Sequence, residues 1–168
     1  MKKTMPHHAT LTYNEPLLRR AVLAFWRRTI GVAFPLVTAV LAASLIYYLL
    51  QGNSSWFTGV LATVLFFSII CMPTLYFVHY RNVLTKFRNM GAPQASFLAE
   101  ETSFTVASDL GSSTLKWSAI VEVWCFDEFW LLLFSKAQFM TLPLSSLSPE
   151  MKAFILQQIQ ASGGKVDG

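Results

Sequence analysis

Two uncharged runs decide the architecture: TIGVAFPLVTAVLAASLIYYLL from Thr29 to Leu50, and WFTGVLATVLFFSIICMPTLYFV from Trp56 to Val78. They hold 22 and 23 residues, and 34 of those 45 are hydrophobic. An α-helix rises about 1.5 Å per residue, so about 20 apolar residues cross the roughly 30 Å hydrocarbon layer of a bilayer. Either run is long enough. The five residues between them, QGNSS (51–55), are uncharged turn formers. The sequence therefore predicts two antiparallel transmembrane helices with almost nothing beyond the bend. Tyr47, Tyr48 and Trp56 flank that bend, where an aromatic belt meets the membrane surface.

Lys and Arg set the orientation. Arg19, Arg20, Arg27 and Arg28 precede the first run, Arg81, Lys86 and Arg88 follow the second, and the bend has none. Under the positive-inside rule both ends of the hairpin, and so both termini, are expected to face the cytoplasm. These seven residues form the candidate membrane-interface set, there to fix topology or to touch headgroups. The competing reading of the first run is a cleaved signal peptide. Its long basic leader, an apolar stretch beyond the usual roughly 7 to 15 residues, and the second run directly behind it argue against cleavage.

Neither run contains Asp, Glu, Lys, Arg or His, the intramembrane groups that ion or proton coupling requires. Transport is then conceivable only for an oligomer. Thr29, Thr38, Ser44, Thr58, Thr63, Ser68 and Thr74 read as packing or back-bonded hydroxyls rather than a pathway. Pro35 and Pro73 lie inside the runs and are expected to kink them. Leu18, Val22 and Phe25 recur at helical spacing before the first run, behind Pro16 and a capping Asn14. After the second run Tyr80, Val83, Leu84 and Phe87 repeat the stripe, until Met90-Gly91-Ala92-Pro93 supplies a stop. Each helix is expected to overshoot the bilayer by about two or three turns.

Composition agrees with this division. The chain has 168 residues, 54% hydrophobic and only 13% charged, which argues against both a purely soluble domain and a disordered one. The net charge of +4 is uneven: residues 1–28 carry +5, residues 79–95 carry +3, and residues 96–168 carry −4. No basic face lies next to a readable motif, so nucleic acid is not expected as a partner. Cys71 and Cys125 fit no metal or disulfide spacing and are expected to be small buried apolar residues. His7 and His8, expected at a flexible terminus without nearby Cys or carboxylate, make a poor metal site. No cofactor motif is present either.

From Ser96 onward the period changes from 3.6 to 2. Phe104 and Val106 alternate with polar residues before the turn Ser108-Asp109-Leu110-Gly111-Ser112, and Ser113 to Trp117 follows as a strand burying Leu115 and Trp117. Ile120 and Val123 then follow Trp117 at intervals of three, which predicts a tight turn or short helical step before a strand from Val121 to Phe126. Asp127-Glu128 is a polar hairpin tip. Phe129 to Phe134 is apolar throughout, as in a strand covered on both faces, and Gln138 to Leu142 alternates before Pro143. Ser148-Pro149-Glu150 opens a helix with the stripe Met151, Phe154, Ile155 and Ile159, ended by Gly163-Gly164 before a short tail. Ala9 to Tyr13 is strand-like and without a sheet of its own, so it is expected to return here as an added edge strand. Glu100-Glu101 and Asp127-Glu128 lack a nucleophile or His beside them and read as solvated turns.

The marks of this part are Phe104, the Gly111 turn, Trp117-Ser118-Ala119-Ile120-Val121-Glu122-Val123, Leu131-Leu132-Leu133-Phe134, Leu142-Pro143, Leu147 and the last helix. Together with the N-terminal strand and the basic-flanked hairpin, they resemble the YcxB-like family of small bacterial membrane proteins, whose C-terminal domain looks like bacterial pleckstrin-homology-like sheets. The resemblance implies architecture and location, and brings no activity and no catalytic residues. Phe104, Trp117, Ile120 and Pro143 are then structural core marks, Trp117 among them because a strand aromatic on an apolar face dominates core burial.

The fold expected is a membrane α+β protein. It comprises an N-terminal strand and amphipathic helix (1–28), a first transmembrane helix (29–50), a short loop (51–55), a second transmembrane helix (56–78), a helix extension and linker (79–95), a small antiparallel, pleckstrin-like cytoplasmic domain closed by a helix (96–162), and a tail (163–168). The function expected is non-enzymatic: a membrane-anchored domain for protein interaction or self-assembly. Lipid or small-ligand sensing at the cytoplasmic surface is the alternative, and transport by an oligomer the least favoured. The partners expected are the lipid bilayer and either a second copy or another protein, since a β domain of about 70 residues buries only a modest core.

Overall fold

A computed structural model describes residues 7–52, 55–89 and 91–167, and only the backbone of Lys86. Asn53 and Ser54 of the expected loop and Met90 of the expected stop lie outside the described residues. The chain divides into two units. One is Val22–Asn82, and the other joins the N-terminal segment up to Ala21 with everything from Val83 onward.

Helix α1 spans Glu15–Ile30. The Asn14 side chain caps it, accepting from the Leu17 N–H at 2.8 Å, and Pro16 falls in the first turn, where no backbone donor is missed. Leu17, Leu18, Ala21, Val22 and Phe25 make one buried stripe, and Arg27 and Arg28 occupy the last turn, where the helix dipole favours cations. The helix does not run on into the first apolar span. Gly31, at φ +66°, stops it by donating to the Arg27 carbonyl at 3.1 Å, and α2 (Ala33–Leu50) starts afresh. Pro35 therefore falls in the first turn of α2 and costs it no hydrogen bond, so the interior kink expected there is absent. Helix α3, Trp56–Asn89, is continuous through Pro73 for 34 residues, roughly 50 Å.

Within the Val22–Asn82 unit α2 and α3 are antiparallel. Tyr48 near the end of α2 meets Phe57 near the start of α3, with ring centroids 5.7 Å apart, while Pro35 and Met72 line one cleft. The second half of α1 lies along α3: Trp26 donates its indole N–H to the Met72 carbonyl at 3.1 Å and meets the Tyr76 ring, and Phe25 meets His79. Thr38, Ser44, Thr63, Ser68 and Thr74 each bond the carbonyl four residues earlier at 2.8 to 2.9 Å, as back-bonded hydroxyls do. Cys71 is exposed on α3 rather than buried, and Cys125 is half-buried.

The other unit is α+β. One sheet has the order β1 (His7–Thr12), β2 (Gln94–Ala99), β3 (Ser103–Ser108), β4 (Gly111–Lys116), antiparallel throughout. The N-terminal strand does return as an edge, with His7 opposite Ala99 and Thr12 opposite Gln94. His7 and His8 are thus strand residues, not a flexible terminus, and the His7 ring sits 4.8 Å from that of Phe154. Strand β2 begins ahead of the expected boundary at Ser96, and it buries Ala95, Phe97 and Ala99 on one face. Leu115, on the edge strand β4, is only half-buried.

The second sheet has the order β7 (Phe139–Pro143), β6 (Phe129–Leu133), β5 (Glu122–Cys125), β8 (Lys165–Asp167). All five residues of β6 are buried, as its apolar run predicts. Strand β8 is unforeseen: the expected tail pairs with β5 in parallel, so this sheet is mixed rather than antiparallel. Helix α4 (Pro149–Ala161) opens on Ser148, whose hydroxyl accepts from the Met151 N–H at 3.2 Å, and it buries Met151, Ile155 and Ile159, with Phe154 half-buried. The core joins both sheets to α4 through Leu11, Phe97, Phe104, Trp117, Ile120, Leu132, Leu142 and Ile155. Trp117 stands in the predicted tight step, a 3-10 turn over Trp117–Ala119.

Candidate functional site

The four residues expected as core marks lie inside the fold. Phe104, Trp117, Ile120 and Pro143 are buried. Trp117 donates its indole N–H to the Glu100 carbonyl at 2.8 Å and lies 4.9 Å from the Phe104 ring, so it offers no face to a ligand. Among the described residues no group of three or more His, Cys, Asp or Glu side chains converges for a metal. The Glu150 carboxyl is held below its usual range by its own backbone N–H first and by the Ser148 hydroxyl next, with His7 adding to it. That is a helix-cap arrangement.

What distinguishes the chain is apolar surface. Two helices, Ala33–Leu50 and Trp56–Asn89, are long and apolar enough to cross a membrane, with mean hydropathies of 2.0 and 2.1 over their best windows. Neither window has a buried residue. The core helix of a water-soluble protein would hide such a face, and exposed apolar patches beyond a few hundred Å² mark an interaction surface. Trp56 is 81% exposed and Leu50 83%, at the two sides of the bend.

The seven candidate cations fall into different surroundings. Arg20 has an acidic partner in the protein: its guanidinium grips the Glu128 carboxylate through two contacts of 2.7 and 2.9 Å. Both side chains are about half-exposed, so the pair contributes at most about 1 kcal/mol. Its role is positional, since it ties α1 to the tip between β5 and β6. Tyr13 donates its hydroxyl to the Thr141 carbonyl at 3.1 Å and its backbone N–H to the Pro93 carbonyl at 2.9 Å. Burial pushes that phenol well above its ordinary value. Arg19, Arg27 and Arg28 are exposed on α1, as are Arg81 and Arg88 on α3, while the Lys86 side chain lies outside the described set.

Arg27 lines a cleft of about 410 Å³ at the break between α1 and α2. The other walls are Trp26, Ile30, Gly31, Val32, Pro35 and Met72. The cleft was not legible in the sequence, because it exists only where Gly31 ends a helix that the hydropathy pattern reads as continuous.

Fold and surface together define an α+β protein carrying two exposed apolar helices long enough to span a bilayer. A family model described as YcxB-like protein matches residues 100–159, so the stretch from the turn before β3 into α4 is similar to that family. The match leaves out β1, β2, the three preceding helices and β8, a narrower region than the resemblance in the sequence suggests. Neither the curated proteins nor the solved structures contain a significant match.

Proposed function

We propose that the chain is a non-enzymatic, multi-pass protein of the bacterial inner membrane. In this reading α2 and the first two-thirds of α3 form a transmembrane hairpin, and both termini are cytoplasmic. The YcxB-like domain is then a membrane-anchored interaction module. The observation that carries the reading is that the best apolar windows of α2 and α3 bury none of their residues, which water would penalise at about 25 cal/mol for each Å² left exposed. Orientation follows from the arginines on both flanks of the hairpin and their absence from the bend. Two consecutive three-stranded meanders, β2–β4 and β5–β7, followed by a helix, support a pleckstrin-like description of the domain.

Membrane anchoring and sidedness are tested together. The chain is expected to resist carbonate extraction and to need detergent for solubility. A cysteine placed at Ser55 in a Cys71→Ser, Cys125→Ser background is expected to react with a membrane-impermeant maleimide from the periplasmic side, and one at Ser112 only after lysis. Extraction without detergent, or the reverse labelling, overturns the reading. Interaction is tested by purification in a gentle detergent, where a stable oligomer or a stoichiometric partner is expected. A strictly monomeric species without an associated protein overturns that part. The second reading, lipid sensing at the same surface, is favoured by the charge distribution around α1.

A further inference from the structure

Residues 16–99 hold seven Lys and Arg and not one Asp or Glu. Inside the Val22–Asn82 unit Arg27 and Arg81 thus lie in a segment that contains no acidic residue. Arg27 differs from Arg81 in lining the cleft, which is otherwise walled by Trp26, Ile30, Gly31, Val32, Pro35 and Met72. The Trp26 indole N–H is already bonded to the Met72 carbonyl, so the ring is fixed as an apolar wall and leaves Arg27 as the polar anchor. Helix α2 also begins here, behind Val32, with no side-chain cap, so the positive end of its dipole faces the same break. A guanidinium beside an apolar wall, at the point where a basic helix gives way to an exposed apolar one, matches a molecule with an anionic head and a hydrocarbon tail.

We infer that this cleft seats one anionic glycerophospholipid, its phosphate on Arg27 and one acyl chain against Val32, Pro35 and Met72. The inference rests on the proposal that α2 and α3 span the bilayer, because only then is the cleft at the level of the headgroups. The occupant is a lipid rather than a free anion, because five of the seven lining residues are apolar or aromatic and would gain nothing from inorganic phosphate. Arginine suits the phosphate because its planar fork bonds two oxygens at once.

The test is native mass spectrometry of the full-length chain released from micelles doped with phosphatidylglycerol or phosphatidylcholine. Wild type is expected to retain one phosphatidylglycerol in preference to phosphatidylcholine by about tenfold, because both lipids offer a phosphate to Arg27 but the choline ammonium cancels its charge, whereas phosphatidylglycerol has no such counter-charge. Arg27→Gln is expected to lose the preference, Arg27→Lys to keep part of it, and Met72→Trp, which narrows the apolar wall, to lower retention of both lipids. Equal retention of the two lipids by wild type overturns the inference, as does an unchanged preference in Arg27→Gln. Displacement of phosphatidylglycerol by an equal concentration of inorganic phosphate overturns the lipid assignment. Each of these results leaves the membrane-spanning proposal standing if the chain still needs detergent, whereas extraction by carbonate alone removes both.

Discussion

Tyr13 shows how much one side chain can hold. It closes the junction between β1 and α1 with two bonds, one to Pro93 and one to Thr141, which lie 80 and 128 residues away. Because its pKa is raised in the folded protein, the neutral phenol favours folding. That contribution is complete below the unfolded value of about 10 and is lost as pH rises from there toward the folded value. Tyr13→Phe is expected to cost about 1 kcal/mol at pH 7 through the lost bond, and to flatten the fall in stability above pH 10. Thermal unfolding in detergent at pH 7 and at a series of alkaline pH values reads both effects. Gly164 is constrained differently. A Cβ there would stand 2.6 Å from Ile159 Cγ2 and 2.8 Å from the Ile120 carbonyl oxygen, and a backbone oxygen cannot swing aside. Gly164→Ala is expected to destabilise by about 1–3 kcal/mol in the same assay, as overpacked cores do.

At the scale of elements, helix α4 depends on its start. Ser148 supplies the capping oxygen and Pro149 the first helical residue, so Ser148→Ala is expected to lower stability by about 1 kcal/mol while Ser148→Asp keeps it. Thermal unfolding of the two variants checks this. The elements that sequence revealed are those with long or strongly periodic signals: the two apolar runs, the fully buried β6, the stripe of α4. The elements it concealed have physical reasons for doing so. Strand β8 is three residues long, too short for any period. Strand β2 begins ahead of the boundary the sequence suggests, because Ala95 carries little hydrophobic weight in the new register. The break at Gly31 sits between Ile30 and Val32, where hydropathy is uninterrupted and only the positive φ marks the end of a helix. For the candidate site, the basic residues were legible as a set. Their separate fates were not: Arg20 meets a carboxylate 108 residues on, and Arg27 meets a cleft made by three helices.

For the molecule as a whole, the two units explain a composition that looks contradictory in total. The apolar excess and the basic charge belong to the helices and their flanks, while residues 96–168 carry −4. An acidic domain is repelled by anionic headgroups, and a basic collar is drawn to them, each over about a Debye length. The labelling at Ser55 and Ser112 proposed above tests this at the scale where it operates, since a reversed orientation would turn the arginine-rich flanks away from the cytoplasm. The β-rich unit is also discontinuous in sequence, with the whole of Val22–Asn82 inserted between its first strand and the rest. Within this unit the two stretches of chain on either side of the insertion meet where the Tyr13 N–H bonds to the Pro93 carbonyl. That meeting point has a consequence in time. During synthesis at about 5–20 residues per second, β1 is complete roughly 4–16 s before its partner Gln94 has been made, and both apolar helices emerge in the interval. Strand β1 is therefore an unpaired edge throughout that interval, and its alternating charge-free sequence HHATLT has to stay soluble until β2 arrives.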